Sequence, residues 1–192
     1  MQPLIECQGI PPVLFDAGAD GPTLLHNIKE LNIDPTSIGI IVISHAHGDH
    51  TGGLSEILKI NKSAQLFLPG SFREAIPGRK VTTVEEAIEI CINVFSTGQL
   101  ESIEQSLAIR TNRGIFVVTG CAHPAMKSIL SAASNFGKVY GIAGGFHGFR
   151  DFKLFKDLSQ VYPCHCTQYK KQILDSFPGT ALGCGAGLIL QL

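Results

Sequence analysis

The chain has 192 residues, 44% of them hydrophobic and 16% charged, with a formal net charge of −1. That composition belongs to an ordinary globular protein with one sizeable core, so a single domain over residues 1–192 is expected. It excludes the basic tracts that hold nucleic acid or a membrane surface, and no apolar run approaches the ~20 residues of a membrane span.

The N-terminal stretch "MQPLIECQGIPP" lacks the charged and apolar regions of a signal peptide, and a cytoplasmic location is expected. "PPVLFDAG" (11–18) reads as a strand closed by a turn. Apolar side chains at 24, 25, 28 and 31 have helical spacing. "IGIIVIS" (38–44) is a β-branched run of strand length. A short helix from about 53 to 59 and a strand in "AQLFLP" follow. "IEICINVFSTG" (88–98) and "SLAIRTNRGIFVVTG" (106–120) supply at least three more strands, the last two joined by a "TNRG" turn. "PAMKSILSAASNF" (124–136) predicts a helix stopped at Gly137, and "KVYGIAGG" a strand with a glycine turn. A helix around 151–160, a strand at 161–164, a helix over 167–176 and the terminal "GLILQL" complete the chain. The mixture is α/β without the strict alternation of a doubly wound sheet.

The six cysteines, without a secretion signal, are expected as reduced thiols. Cys7, Cys91, Cys121 and Cys184 stand singly and read as small buried side chains. Cys164 and Cys166 flank His165, and in an extended segment both face away from it.

"VISHAHGDHTGG" (42–53) gathers His45, His47, Asp49 and His50 from a chain with seven histidines. His123, His147 and His165 each follow an apolar run of their own, in "IFVVTGCAH", "VYGIAGGFH" and "VYPCH". Metal-competent groups after several strands are what a site on the rim of a sheet requires. Imidazole and carboxylate suit zinc, iron or manganese. His45 and His47, two apart, point the same way in an extended segment and could share an ion. Asp49 and His50 lie past Gly48, where the chain can bend, and could serve a second. His26 sits within a helical pattern and reads as structural or exposed.

"HAHGDH" followed by "TGG" resembles the His-x-His-x-Asp-His motif of the metallo-β-lactamase-fold superfamily. "LFDAG" resembles that superfamily's first strand and turn. "GCAH", "GGFH" and "PCHCT" together resemble its branch of dihydropterin–ribofuranosylaminobenzene-phosphate synthases, related to methanopterin biosynthesis. The resemblance runs from about Leu4 to the C-terminus. It implies an αββα four-layer sandwich and one or two zinc ions, with iron or manganese as alternatives. By that likeness His45, His47 and His123 hold one ion, and Asp49, His50 and His165 the other. Where many members carry a bridging aspartate, "GGFH" offers His147. An imidazole does not bridge readily, so one tight site and one weak site are expected. Asp151 ranks below His147 for that place, since "FRDFKLF" looks like a helix start.

The resemblance implies a metal-dependent hydrolase acting on a phosphoester or phosphorylated small molecule, with Asp49 as the catalytic carboxylate that orients water or takes its proton. Thr167 is expected to cap the helix after His165. That helix would turn its positive end to a phosphate, with Lys170, Lys171, Arg150 and Lys153 assisting. Two alternatives stand beside this. One is a transferase like the synthases of the branch; the other is a metal-binding or redox-sensing module without catalysis, marked by a closed coordination sphere.

Overall fold

The computed structural model describes residues 2–192, and the chain divides into two compact units, Met1–Glu85 and Glu86–Leu192. Each is a sheet with helices on it and an apolar core of its own.

The first unit is a five-stranded sheet in sequence order: β1 (Leu4–Ile5), β2 (Val13–Phe15), β3 (Ile40–Val42), β4 (Gln65–Pro69) and β5 (Val81–Val84). Only β1–β2 is antiparallel; the other neighbours are parallel. Val13–Phe15 and Ile40–Val42 are buried throughout, which is why they read as unbroken apolar runs rather than alternating ones. Helix α1 (Gly21–Glu30) begins at Asp20, whose carboxylate accepts the Thr23 N–H at 2.7 Å, with proline in its first turn. It ends where Leu31 and Asn32 turn the chain. Leu24 and Ile28 of α1 and Leu54 and Ile57 of α3 (Leu54–Ile60) pack on Leu14, Ile41, Ile43, Leu66 and Leu68 of the sheet. The short helix α2 (Gly48–Thr51) precedes α3. Gly52 and Gly53 follow it, and a Cβ on them would overlap the carbonyls of Ala19 and Ala17. The "TGG" stretch is therefore glycine because this backbone lies directly on the loop after β2.

The second unit is a six-stranded sheet in the order β11-β10-β9-β8-β7-β6. Strands β6 (Ile88–Cys91), β7 (Val94–Ser96), β8 (Leu107–Thr111) and β9 (Gly114–Thr119) form antiparallel hairpins, the last through the expected "TNRG" turn. From β9 onward the chain runs parallel, through α4 (Met126–Ser134) to β10 (Val139–Gly145) and then β11 (Gln160–Cys164). Met126, Ile129 and Ala133 of α4 and Ile173 of α5 (Lys170–Ser176) share a core with Ile115, Val117, Ile142 and Val161.

Several expectations are corrected. Strands β1 and β5 went unread in the sequence, both being short or polar. The helix expected around 151–160 is a 3₁₀ turn at Phe152–Phe155, because the connection between β10 and β11 must first turn at His147 and then seat Phe155 in the core. The Ser159 N–H is then fastened to the Tyr140 carbonyl at 2.8 Å. The helix expected from Thr167 starts only at Lys170. Cys164 and Cys184 are joined in a disulfide, not reduced, because the returning C-terminal segment carries Cys184 to the end of β11. Among the described residues no helix is long and apolar enough to cross a membrane.

Candidate metal centre

In the first unit the candidate ligands follow the C-terminal end of β3, and a carboxylate after β2 organises them. Asp16 has a left-handed backbone, φ 65°, a conformation that aspartate tolerates better than most residues. Its buried side chain accepts the Ser44 N–H at 2.7 Å and the Ser44 hydroxyl at 2.9 Å. Its Oδ2 also accepts from His50 Nδ1 at 2.6 Å. With Nδ1 donating to a carboxylate, Nε2 is the His50 nitrogen open to a metal. Burial disfavours charge on His50, but the hydrogen bond and charge of Asp16, with the charge of Asp49, outweigh it and hold its pKa above the ordinary histidine value. The His50 carbonyl accepts the Ala17 N–H at 2.8 Å, tying the motif to the same loop.

Two pairs of donor atoms result. His45 Nε2 lies 3.1 Å from His47 Nδ1. Two nitrogens bound at 2.0–2.1 Å to a tetrahedral ion stand about 3.3 Å apart, so this spacing suits a shared ion. His50 Nε2 lies 3.5 Å from Asp49 Oδ2, a second pair of the same kind. His45 and His50 are buried, whereas His47 and Asp49 are exposed. The donor set of two imidazoles beside an imidazole and a carboxylate fits zinc, iron or manganese. His26 is an exposed residue of α1.

In the second unit His123, His147 and His165 follow the ends of β9, β10 and β11, three adjacent parallel strands. The rings of His123 and His147 have centroids 5.1 Å apart. Ala122, His147 and His165 all have left-handed backbones, with φ of 52°, 41° and 40°. A Cβ on Gly144 would overlap the Thr119 carbonyl, so the glycines before His147 let β10 close against the end of β9. Asp151 begins the 3₁₀ turn and is exposed.

The expected phosphate-binding residues have other engagements. Thr167 does not cap a helix: its hydroxyl donates to the Cys164 carbonyl at 2.6 Å and accepts from the Phe146 N–H at 3.0 Å. It is used instead to join the His147 and His165 loops. Lys170 donates to the Cys184 carbonyl at 3.4 Å. Arg150 lies on the Tyr169 ring, 4.5 Å from its centroid, and donates to the Tyr169 hydroxyl. Lys171 pairs with Asp175 on the surface at 2.7 Å, and Lys153 is exposed.

The flanking cysteines part ways. Cys164 is in the disulfide. Cys166 does not turn away: its Sγ reaches the Cys121 carbonyl at 3.8 Å. Hydrogen bonding with Cys121 overcomes burial and, with help from His147, holds the Cys166 thiol down to about 6.

Two buried carboxylates escaped the sequence reading. Asp16 stood in view in "LFDAG". Glu104 accepts the Thr119 hydroxyl at 2.9 Å and the N–H groups of Gly120, Cys121 and Ala122 at 2.9–3.2 Å on one oxygen, and that of His123 at 3.1 Å on the other. A carboxylate inside "SIEQS" at the start of a buried strand was the available sign.

Residues 5–82 match the family model of the metallo-β-lactamase superfamily. The structure also superposes on that of Tm1679, a metal-dependent hydrolase of the β-lactamase superfamily, with a TM-score of 0.76 and 26% identity over 94% of this chain and 88% of that one. The chain thus resembles the metallo-β-lactamase superfamily, in sequence over residues 5–82 and in its fold. Its fold is the expected mixed α/β arrangement of that type, with helices on each of two sheets. A relative from Methanocaldococcus jannaschii, a 7,8-dihydropterin-6-methyl-4-(beta-D-ribofuranosyl)-aminobenzene-5'-phosphate synthase, is 29% identical over 88% of this chain and 80% of its own length. A diphosphatase of the PhnP family shares the fold, with a TM-score of 0.66 at 15% identity over 98% of this chain and 83% of that one. The superfamily is mostly enzymatic and typically binds divalent metals, and the site residues of this chain are of the kinds such metals take.

Proposed function

We propose that the chain is a metal-dependent hydrolase of a phosphoester or other phosphorylated small molecule, working in the cytoplasm with zinc, iron or manganese. The observation that carries this is the pair of donor couples in the first unit, His45 Nε2 with His47 Nδ1 at 3.1 Å and His50 Nε2 with Asp49 Oδ2 at 3.5 Å. By the family likeness, His123 and His165 of the second unit are ligand candidates as well.

A divalent ion so held would supply a water of lowered pKa and would neutralise charge on a phosphoryl oxygen. This chain's residues do the rest. Asp16 fixes His50 in the tautomer that offers Nε2. Asp49, exposed beside His50, is the carboxylate placed to orient a water or accept its proton. Arg150, exposed in the loop after His147, is available to a phosphate if it leaves the Tyr169 ring.

The test is metal analysis of the purified protein, then a screen of phosphodiesters and phosphomonoesters with wild type, His45→Ala and Asp49→Asn. Activity with a bound metal in the wild type, lost in both variants, is expected. Full metal content in His45→Ala, or undiminished turnover in Asp49→Asn, overturns the assignment.

A second reading is favoured by the 29% identity to the synthase. It is a transferase that joins a phosphorylated ribofuranosyl-aminobenzene to a dihydropterin. Product that forms only when both organic substrates are supplied supports it, and turnover of one substrate with water alone excludes it.

A further inference from the structure

Between β7 and β8 the chain makes a tight loop, bridged from Leu100 to Glu104, in which Glu101 and Ser102 both take left-handed backbones, with φ of 51° and 58°. Two carboxylates leave this loop. Glu101 Oε1 accepts the Ala125 N–H and the Ser128 hydroxyl, each at 3.1 Å, at the exposed start of α4. Glu104 is fully buried and takes the four consecutive backbone N–H groups of residues 120–123, as well as the Thr119 hydroxyl. Successive N–H groups folded around one anion form a nest. Here the anion belongs to the protein and the nest is the "GCAH" turn itself.

Two costs show that the arrangement is specific. A carboxylate is buried, and five donors meet its two oxygens. Ala122 lies in the left-handed region, which is unfavourable for a residue with a Cβ. A turn merely connecting β9 to α4 needs neither. What the arrangement fixes is the backbone of His123, held through its own N–H on the second oxygen of Glu104.

We propose that Glu104 is a positioning residue for the metal centre: it holds the "GCAH" turn in the one conformation that presents the His123 imidazole as a ligand. This rests on the reading of His123 as a ligand. The role differs from that of Asp16, which acts on a histidine ring, because Glu104 acts only through backbone.

The experiment measures zinc affinity by competition with a chromophoric chelator, at a temperature where circular dichroism shows each full-length variant folded. Melting of the zinc-free protein is recorded separately. Glu104→Gln replaces one acceptor oxygen by an NH₂ group that faces N–H donors. It is expected to weaken zinc binding by about 10- to 100-fold, the effect of losing a partner that orients a ligand. Glu101→Gln, which touches the helix start but not the turn, should stay within about twofold. If Glu104→Gln does not fold, Thr119→Val decides. It removes one of the five donors at nearly constant shape and should weaken zinc by roughly two- to tenfold. Zinc affinity unchanged in the folded variants overturns the proposal, even where melting falls, since that is the outcome of a purely structural role. His123→Ala separates this from failure of the site itself. If that variant binds zinc as wild type does, His123 is no ligand and the reading beneath the proposal is wrong.

Discussion

Asp16 Oδ2 and His50 Nδ1 lie 2.6 Å apart with both side chains buried, 34 residues apart in the chain. The same carboxylate holds the main chain at Ser44, so one residue fixes both the start of the histidine motif and the ring at its end. Asp16→Asn is expected to lower zinc affinity about 10- to 100-fold. It should also cost about 1–3 kcal/mol of stability, because buried groups lose a charged acceptor. Chelator competition and urea melts check both. Affinity within twofold of wild type would mean that His50 keeps its orientation without Asp16.

The resemblance read in the sequence puts His147 at the place where many superfamily members carry a bridging aspartate. An imidazole brings one available nitrogen and no negative charge. Calorimetric titration of the metal-free protein should therefore show one tight ion and one much weaker ion, and His147→Asp should tighten the second. Two equally tight ions in the wild type would be the contrary result, with another residue or a hydroxide supplying the bridge.

Metal that binds only the folded state raises stability by mass action, by ~2.7 kcal/mol at a hundredfold excess over Kd. For a chain of this size each kcal/mol moves the melting temperature by about 2–4 °C. Zinc added to chelator-treated protein should thus raise it by roughly 5–10 °C, and His45→Ala should blunt the response. A melting curve indifferent to zinc would show that the ion is held loosely.

Gly53 and Gly48 make an internal comparison. A Cβ at Gly53 would overlap the Ala17 carbonyl and press on Leu24, whereas at Gly48 it would meet nothing within 4 Å. Gly53→Ala should lose about 1–3 kcal/mol through overpacking. Gly48→Ala should be neutral or gain up to about 1 kcal/mol from helix propensity. Equal effects in denaturant titrations would argue against so close a docking of the "TGG" backbone.

The Cys164–Cys184 bridge closes a loop across 20 positions. Cys184→Ser in oxidised protein should lower stability by up to about 3 kcal/mol, with reductant producing the same change in the wild type and none in the variant. Identical melting of wild type with and without reductant would count against a structural role for the bridge.

What the sequence revealed and what it hid follow from the range of the interactions. β3, β4, β9 and β10 were legible because strands buried on both faces are apolar throughout, and the histidines after them could be read as rim residues. β5 was not, because "VTTV" at an exposed edge has no apolar run to mark it. Thr167 looked like a helix cap because it precedes a helical pattern; its hydroxyl instead serves the Cys164 carbonyl and the Phe146 N–H, and the latter lies 21 residues away. Glu104 was hidden for the same reason. Apart from the Thr119 hydroxyl, its partners are main-chain donors 16 to 19 residues on, and backbone groups leave no trace in residue identity. The Cys164–Cys184 pairing depended on the path of the chain after α5, for which local pattern offers no rule.

Ala122, His147 and His165 share one backbone conformation at the ends of three neighbouring strands, yet only Ala122 carries no candidate donor atom. An L-residue held there gives up ~1–2 kcal/mol, which a glycine would not. Ala122→Gly therefore unloads the spring without touching a ligand. If the turn is kept in shape by Glu104 alone, the variant should be more stable and bind metal as before. If the Cβ itself restricts the turn, the extra freedom will appear as weaker binding in a more stable protein. Stability and affinity, which fall together in Asp16→Asn, would there move in opposite directions.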